Sequence, residues 1–161
     1  MGYGDVRFAA RVIVLDEAGR VLLFRIPSPA HRPDLALWHT PGGGIEAGEE
    51  AVAAAARELW EETGLRDAVI GPEIWLRSYA FEINGERTTQ HERYFIVKVA
   101  AFEPTRNNLE AHEHAFLTLH RWWTAEEIAE SRDYFIPRAL GTLLPPLLRG
   151  EFPERPFDCG T

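Results

Sequence analysis

The chain has 161 residues, 45% of them hydrophobic, which suits one domain with a real buried core. Its formal net charge of −8 argues against stable nucleic-acid binding and against docking on anionic membranes, both of which need basic patches. There is no signal-peptide pattern and no apolar run near 18 residues, so a cytoplasmic protein is expected. The single cysteine, Cys159, excludes an internal disulfide framework and, lying in the tail, leaves the expected core without a cysteine nucleophile.

Residues Val6 to Leu15 alternate loosely and close on the aliphatic run Val12-Ile13-Val14-Leu15, a buried strand. Asp16-Glu17-Ala18-Gly19 reads as a hairpin turn and Val21 to Ile26 as the returning strand. The proline-rich stretch from Pro27 to Asp34 is an irregular loop, and Trp38 to Thr40 a short strand. Gly42-Gly43-Gly44 follows as a glycine-rich loop, after which Gly48, Glu49 and Glu50 mark the start of a helix with negative charge in its first turn. That helix runs to about Thr63, with Gly64 as its C-terminal stop and Val52, Ala56, Leu59 and Thr63 as the expected buried stripe.

Beyond it, the β-favouring stretch from Ala68 to Ile83, broken by Gly71-Pro72, meets the hairpin signal Asn84-Gly85. Glu92 to Phe102 returns as a strand apolar enough to lie centrally in a sheet. Glu103 to His114 has no periodicity and reads as a loop, and Phe116 to Trp123 as another strand. Thr124 and Glu127 form a capping box opening a short helix. Pro137 suits the first turn of a last helix ending near Pro145-Pro146, and the tail from Glu151 reads as irregular. This order establishes a single domain containing both α and β structure.

The chemistry is concentrated in the acidic helix. Glu58, Glu61 and Glu62 are related by i+3 and i+4 spacings and share one helix face. Carboxylates that close repel one another, and a divalent cation removes the repulsion; Mg²⁺ prefers carboxylate oxygens together with substrate phosphates. A lone E-x-x-E-E is usually solvated surface. Here it sits in a longer pattern: Gly43, five residues, Glu49, seven residues, then Arg57-Glu58-Leu59-Trp60-Glu61-Glu62-Thr63-Gly64-Leu65. Every specified position matches the Nudix box, G-x5-E-x7-R-E-U-x-E-E-x-G-U with U aliphatic. The chain resembles a Nudix hydrolase.

The resemblance implies an α+β fold, the α/β/α sandwich in which a mixed β-sheet lies between helices. It implies hydrolysis of the diphosphate bond of a nucleoside diphosphate linked to another moiety, with Mg²⁺ or Mn²⁺ bound by the box. On that basis Glu58, Glu61 and Glu62 are the expected metal ligands, with the backbone carbonyl of Gly43 as a further one. Arg57, four residues before Glu61, orients a carboxylate, and Glu49 takes a structural part. The family draws its general base from the box or from a later glutamate; Glu113 is the preferred candidate, with Glu110, His112 and His114 beside it. Gly42 and Gly44 leave room for substrate against the main chain. Trp38, Tyr79 and Phe81 are candidate walls for a base. Arg7, Arg25, Arg32, Arg77 and Arg93 are candidate phosphate partners. Arg93 leads them, because a charge inside a strand needs a partner.

The partner expected is a nucleotide-type small molecule: a nucleoside triphosphate, a nucleotide sugar or a dinucleoside polyphosphate. Homodimers are common in the family. The rivals are a catalytically silent Nudix-fold nucleotide-binding module, against which the complete box argues, and an isomerase of the same fold whose chemistry leans on a core cysteine. RNA decapping lacks a basic tract to support it.

Overall fold

The computed structural model describes residues 4–105 and 119–161. In the described residues, nine strands form one sheet: β1 (Asp5–Leu15), β2 (Arg20–Ile26), β3 (Leu37–His39), β4 (Gly42–Gly44), β5 (Glu73–Ile83), β6 (Glu86–Lys98), β7 (Leu119–Thr124), β8 (Tyr134–Ile136) and β9 (Phe157–Asp158). The helices are α1 (Ala51–Thr63), α2 (Ala125–Glu130) and α3 (Leu140–Leu148). The main path runs β8-β3-β2-β1-β6-β5-β9, with β4 added to β1 and β7 to β2. β1 and β6 lie parallel from Asp5 opposite Thr88 to Leu15 opposite Lys98, and β5 and β6 form an antiparallel hairpin. Asn84 (φ 51°) and Gly85 (φ 79°) turn that hairpin in the left-handed conformation their sequence favours.

Side chains alternating along the central strands enter two cores. Ala10, Val12 and Val14 of β1, with Phe95 and Val97 of β6, pack against Ala51, Ala54, Ala55 and Leu59 of α1. Ile13 and Leu15, with Tyr94 and Ile96, pack instead on Ile128 of α2 and on Leu140, Leu144 and Leu147 of α3. The result is a mixed sheet between helices, and the two-sided burial is why the inner strands read as nearly unbroken apolar runs.

Several local expectations are corrected. The three glycines form a strand, β4, rather than a loop, because β1 offers an unpaired edge there. α1 begins at Ala51, and no acidic residue lies in its first turn. Its inward stripe is Ala51, Ala54, Ala55, Glu58, Leu59, Glu62 and Thr63; Val52 is 49% exposed and Ala56 is exposed as well. The small alanines let the helix approach the sheet closely, so the larger Val52 turns outward. Gly64 closes α1 in the left-handed conformation as expected (φ 76°), and the Thr124–Glu127 capping box forms with both hydrogen bonds. The last helix starts three residues after Pro137 and contains Pro145 and Pro146. Burial of Leu140, Leu144 and Leu147 outweighs the two amides those prolines lack. The tail is not irregular throughout: β9 pairs in parallel with β5.

Candidate active site

β4 is what carries the main chain to the acidic helix. It pairs antiparallel with β1, Gly42 opposite Arg11 and Gly44 opposite Ala9. Gly42 takes φ 145°, and a Cβ there would overlap the Ala10 carbonyl oxygen. A Cβ on Gly43 would overlap the Glu58 carboxylate. Gly42 is thus required by the strand pairing, while a side chain at Gly43 would displace the helix carboxylate. The Gly42 amide donates to Glu62 Oε2 at 2.9 Å, which ties β4 to α1 in the interior.

Arg57 organises the more open side. Its Nε and Nη2 reach the two Glu49 oxygens at 2.9 Å each, a bidentate fork. Nη2 also donates to the Gly44 carbonyl at 2.9 Å, while Nη1 lies 2.9 Å from Glu58 Oε1 and 3.5 Å from Glu61 Oε2. The hydrogen bond from Arg57 pulls the Glu49 carboxyl down to a pKa of about 2, and the bond to Glu49 raises that of Arg57 in turn. Glu49 is thus held by Arg57 through both of its oxygens. Glu61, with a side chain 22% exposed against 8% for Glu58, is the more open of the pair bound by Arg57.

The box thus brings Gly42, Gly43, Gly44, Glu49, Arg57, Glu58, Glu61 and Glu62 together. Its donors are all oxygens, and the carboxylate of Glu58 lies directly against the Gly43 backbone, an arrangement suited in chemistry to a hard divalent cation. Among the described residues no three Asp, Glu, His or Cys side chains already form a closed cage.

Other expected residues lie elsewhere. Arg93 is exposed on β6 and pairs with Glu73, Nη2 to Oε2 at 2.6 Å, with Glu50 at the start of α1 adding to the field on it, so its charge is already answered by protein carboxylates. Trp38 is 7% exposed and packs edge-on against Trp123, its Nε1 donating to Asp133; it belongs to the core and offers no open wall. Tyr79 and Phe81 lie side by side on β5, half-buried. Arg7 and Arg32 are exposed. Glu110, His112, Glu113 and His114 lie outside the described residues. Cys159, expected outside the core, is buried among core residues, and burial pushes its thiol up to about 11. A thiol so held is a poor nucleophile.

A second charged cluster joins Arg77 and Glu92, both buried, to Arg11, whose side chain is 14% exposed. Glu92, 2% exposed, accepts from Arg11 Nε (3.1 Å) and Gln90 Nε2 (2.9 Å) on one oxygen and from Arg77 Nη1 (3.0 Å) and Tyr94 Oη (3.0 Å) on the other. Burial works against its charge, but Arg11 and Arg77 outweigh burial and hold its pKa below the usual carboxylate value. Arg11 also donates to the Gly42 carbonyl at 3.1 Å, linking this cluster to the box. Sequence reasoning passed over Arg11, although the signal was present: a lone cation in the aliphatic run FAARVIVL, next to a strand carrying a lone buried glutamate.

A NUDIX domain family model matches residues 5–141, most of the chain. The chain belongs to the Nudix family. This Nudix chain is similar to an RNA pyrophosphohydrolase of Roseobacter denitrificans, 32% identical over 108 residues covering 61% of this chain and 66% of the relative. It is also similar to phosphatase NudJ of Escherichia coli K12, 34% identical over 102 residues covering 63% and 61%. Both matches span less than two thirds of the relative's own length. Among solved structures, a Caenorhabditis elegans Ap4A hydrolase binary complex superposes with a TM-score of 0.59 at 19% identity over 89% of this chain and 98% of that one, a likeness of fold. No described helix is long and apolar enough to cross a membrane.

Proposed function

We propose that this chain is a divalent-metal-dependent pyrophosphohydrolase, a single cytoplasmic domain that cleaves the diphosphate bond of a nucleoside diphosphate linked to another moiety. The observation that carries the reading is the joint placement of Gly43, Arg57, Glu58 and Glu61, four box residues whose contacts depend on one another. Glu58 and Glu61, with Glu62 and the Gly43 carbonyl, would hold Mg²⁺ or Mn²⁺. Such an ion, when bound, neutralises charge on the diphosphate and acidifies water. The chain's own contribution is orientation. Arg57 aligns Glu58 and Glu61, Glu49 braces Arg57, and the Gly42 amide fixes Glu62. Glu113 is the proposed base for the attacking water.

The substrate is a nucleoside triphosphate, a nucleotide sugar or a dinucleoside polyphosphate. The relative named as an RNA pyrophosphohydrolase adds an RNA oligonucleotide to the panel. The net charge of −8 weighs against contacts along an RNA backbone. The test is turnover with Mg²⁺ across these classes, followed by chromatographic separation of the nucleotide product from the phosphate, pyrophosphate, sugar phosphate or second nucleotide released with it, with Glu61→Gln alongside. One preferred class should be turned over, and Glu61→Gln should lower the rate by about a thousandfold, roughly 4 kcal/mol of barrier. Silence across the panel from a folded protein would transfer the assignment to a nucleotide-binding module.

A further inference from the structure

On the sheet face opposite α1, where β1, β3, β5 and β6 come together, lies a cavity of about 130 Å³ with an unusual lining. Arg11, His39, Thr40, Arg77, Tyr79 and Glu92 supply its polar walls. Hydrogen bonding among them is unbalanced. Both Glu92 oxygens are already taken by four donors. Among the described residues, Arg77 Nε, His39 Nε2 and Thr40 Oγ1 are buried without any partner, three of the five such atoms in the molecule's described part. A buried polar group without a partner calls for an explanation, and three converging on one cavity call for a common one.

The charge is unbalanced in the same sense. Two guanidinium groups line the cavity against one carboxylate, an excess of one positive charge. The next carboxylate, Glu62, is not part of the lining and is bound to the Gly42 amide. His39 adds no charge, because burial and then the field of Arg11 keep its imidazole neutral. The guanidinium of Arg77 also lies 4.1 Å from the centre of the Tyr79 ring, which fixes it in place. The volume suits a few waters or one tetrahedral oxyanion. An oxyanion supplies what the lining lacks, acceptor oxygens and negative charge together.

We infer that this cavity is an oxyanion subsite that takes a phosphate group, held by Arg77, Thr40 and Arg11. Arg11 makes it contiguous with the box, since the same guanidinium bonds the Gly42 carbonyl. Resting on the hydrolase reading, the inference narrows the substrate: the moiety beyond the scissile diphosphate carries a phosphate of its own, so a nucleoside polyphosphate fits and a nucleotide sugar whose sugar is uncharged does not.

The test is orthophosphate binding to the intact, metal-stripped protein in EDTA, followed by ³¹P line broadening and by thermal shift against chloride at equal ionic strength. Because neither metal nor turnover is involved, the result stands apart from that of the hydrolysis screen. Saturable binding at millimolar phosphate is expected, weakened at least tenfold in Arg77→Met and in Thr40→Val and unchanged in Glu61→Gln. Thr40→Val keeps every charge and the side-chain volume, so it answers the question should Arg77→Met fail to fold. Absence of saturation, binding indifferent to Thr40→Val, or binding lost in Glu61→Gln would overturn the subsite.

Discussion

Lowering the pH from 7 to 5 should destabilise this protein through His39. Burial, followed by the positive charge of Arg11, lowers the imidazole pKa from 6.5 to about 3. In the unfolded chain the same group takes up its proton near 6.5. Between these values the unfolded state binds more protons than the folded one, so stability is complete above the unfolded value and declines as the pH falls toward 3. Integrating the linkage from pH 7 to pH 5 gives a loss of about 2 kcal/mol for this one group. Glu92 adds little in that window, since its ordinary value of 4.5 and its lowered folded value both lie below pH 5; its stabilisation is lost only on further acidification. The assay is urea denaturation at both pH values for the wild type and His39→Gln, with equal m-values as a check on two-state behaviour. Whatever the rest of the chain contributes is common to both proteins and cancels in the difference. The wild type should lose about 2 kcal/mol more than the variant. Parallel losses would refute the burial and field assigned to His39.

Three substitutions test the frame around the box. Gly43→Ala sets a methyl group against the Glu58 carboxylate, whose side chain can move aside; stability should fall by about 1 kcal/mol or less while turnover falls about a hundredfold, and unaltered turnover would detach Gly43 from the reaction. Gly42→Ala meets the backbone of Ala10 and Arg11 at a φ that side chains rarely adopt, so the damage is to the fold. A loss of about 3 kcal/mol or more is expected in urea melts, and a change within 1 kcal/mol would contradict the β1–β4 packing. Glu92→Gln leaves two largely buried guanidinium groups facing a neutral amide, and a loss of about 3–5 kcal/mol is expected. A melt indistinguishable from wild type would show that solvent, not Glu92, answers those charges.

How much of this was legible beforehand follows the range of the interaction involved. The Asn84-Gly85 turn, the Gly64 stop and the Thr124 capping box all formed as read, because each depends on backbone angles and bonds within a few residues. The box was legible because its spacing is itself a pattern along the chain. Other features were decided only by what the folded chain brings near. Val52 fits a helical stripe as well as Ala55 does, but the closeness of the sheet admits the smaller side chain. Arg93 and Arg11 are both arginines within strands; Arg93 faces Glu73 at the surface, while Arg11 faces Glu92 in the interior.

By itself, then, the sequence determined the elements set by local conformation, and through the box the family and the expected chemistry. The tertiary structure alone decided that β4 pairs with β1, that β9 and Cys159 close the sheet edge, and that Arg11 and Arg77 surround one carboxylate. Each of these joins residues far apart in the chain, from the 31 positions between Arg11 and Gly42 to the 81 between Arg11 and Glu92. No local preference encodes such a pairing; it is selected when burial leaves each charge and each amide only one partner within reach.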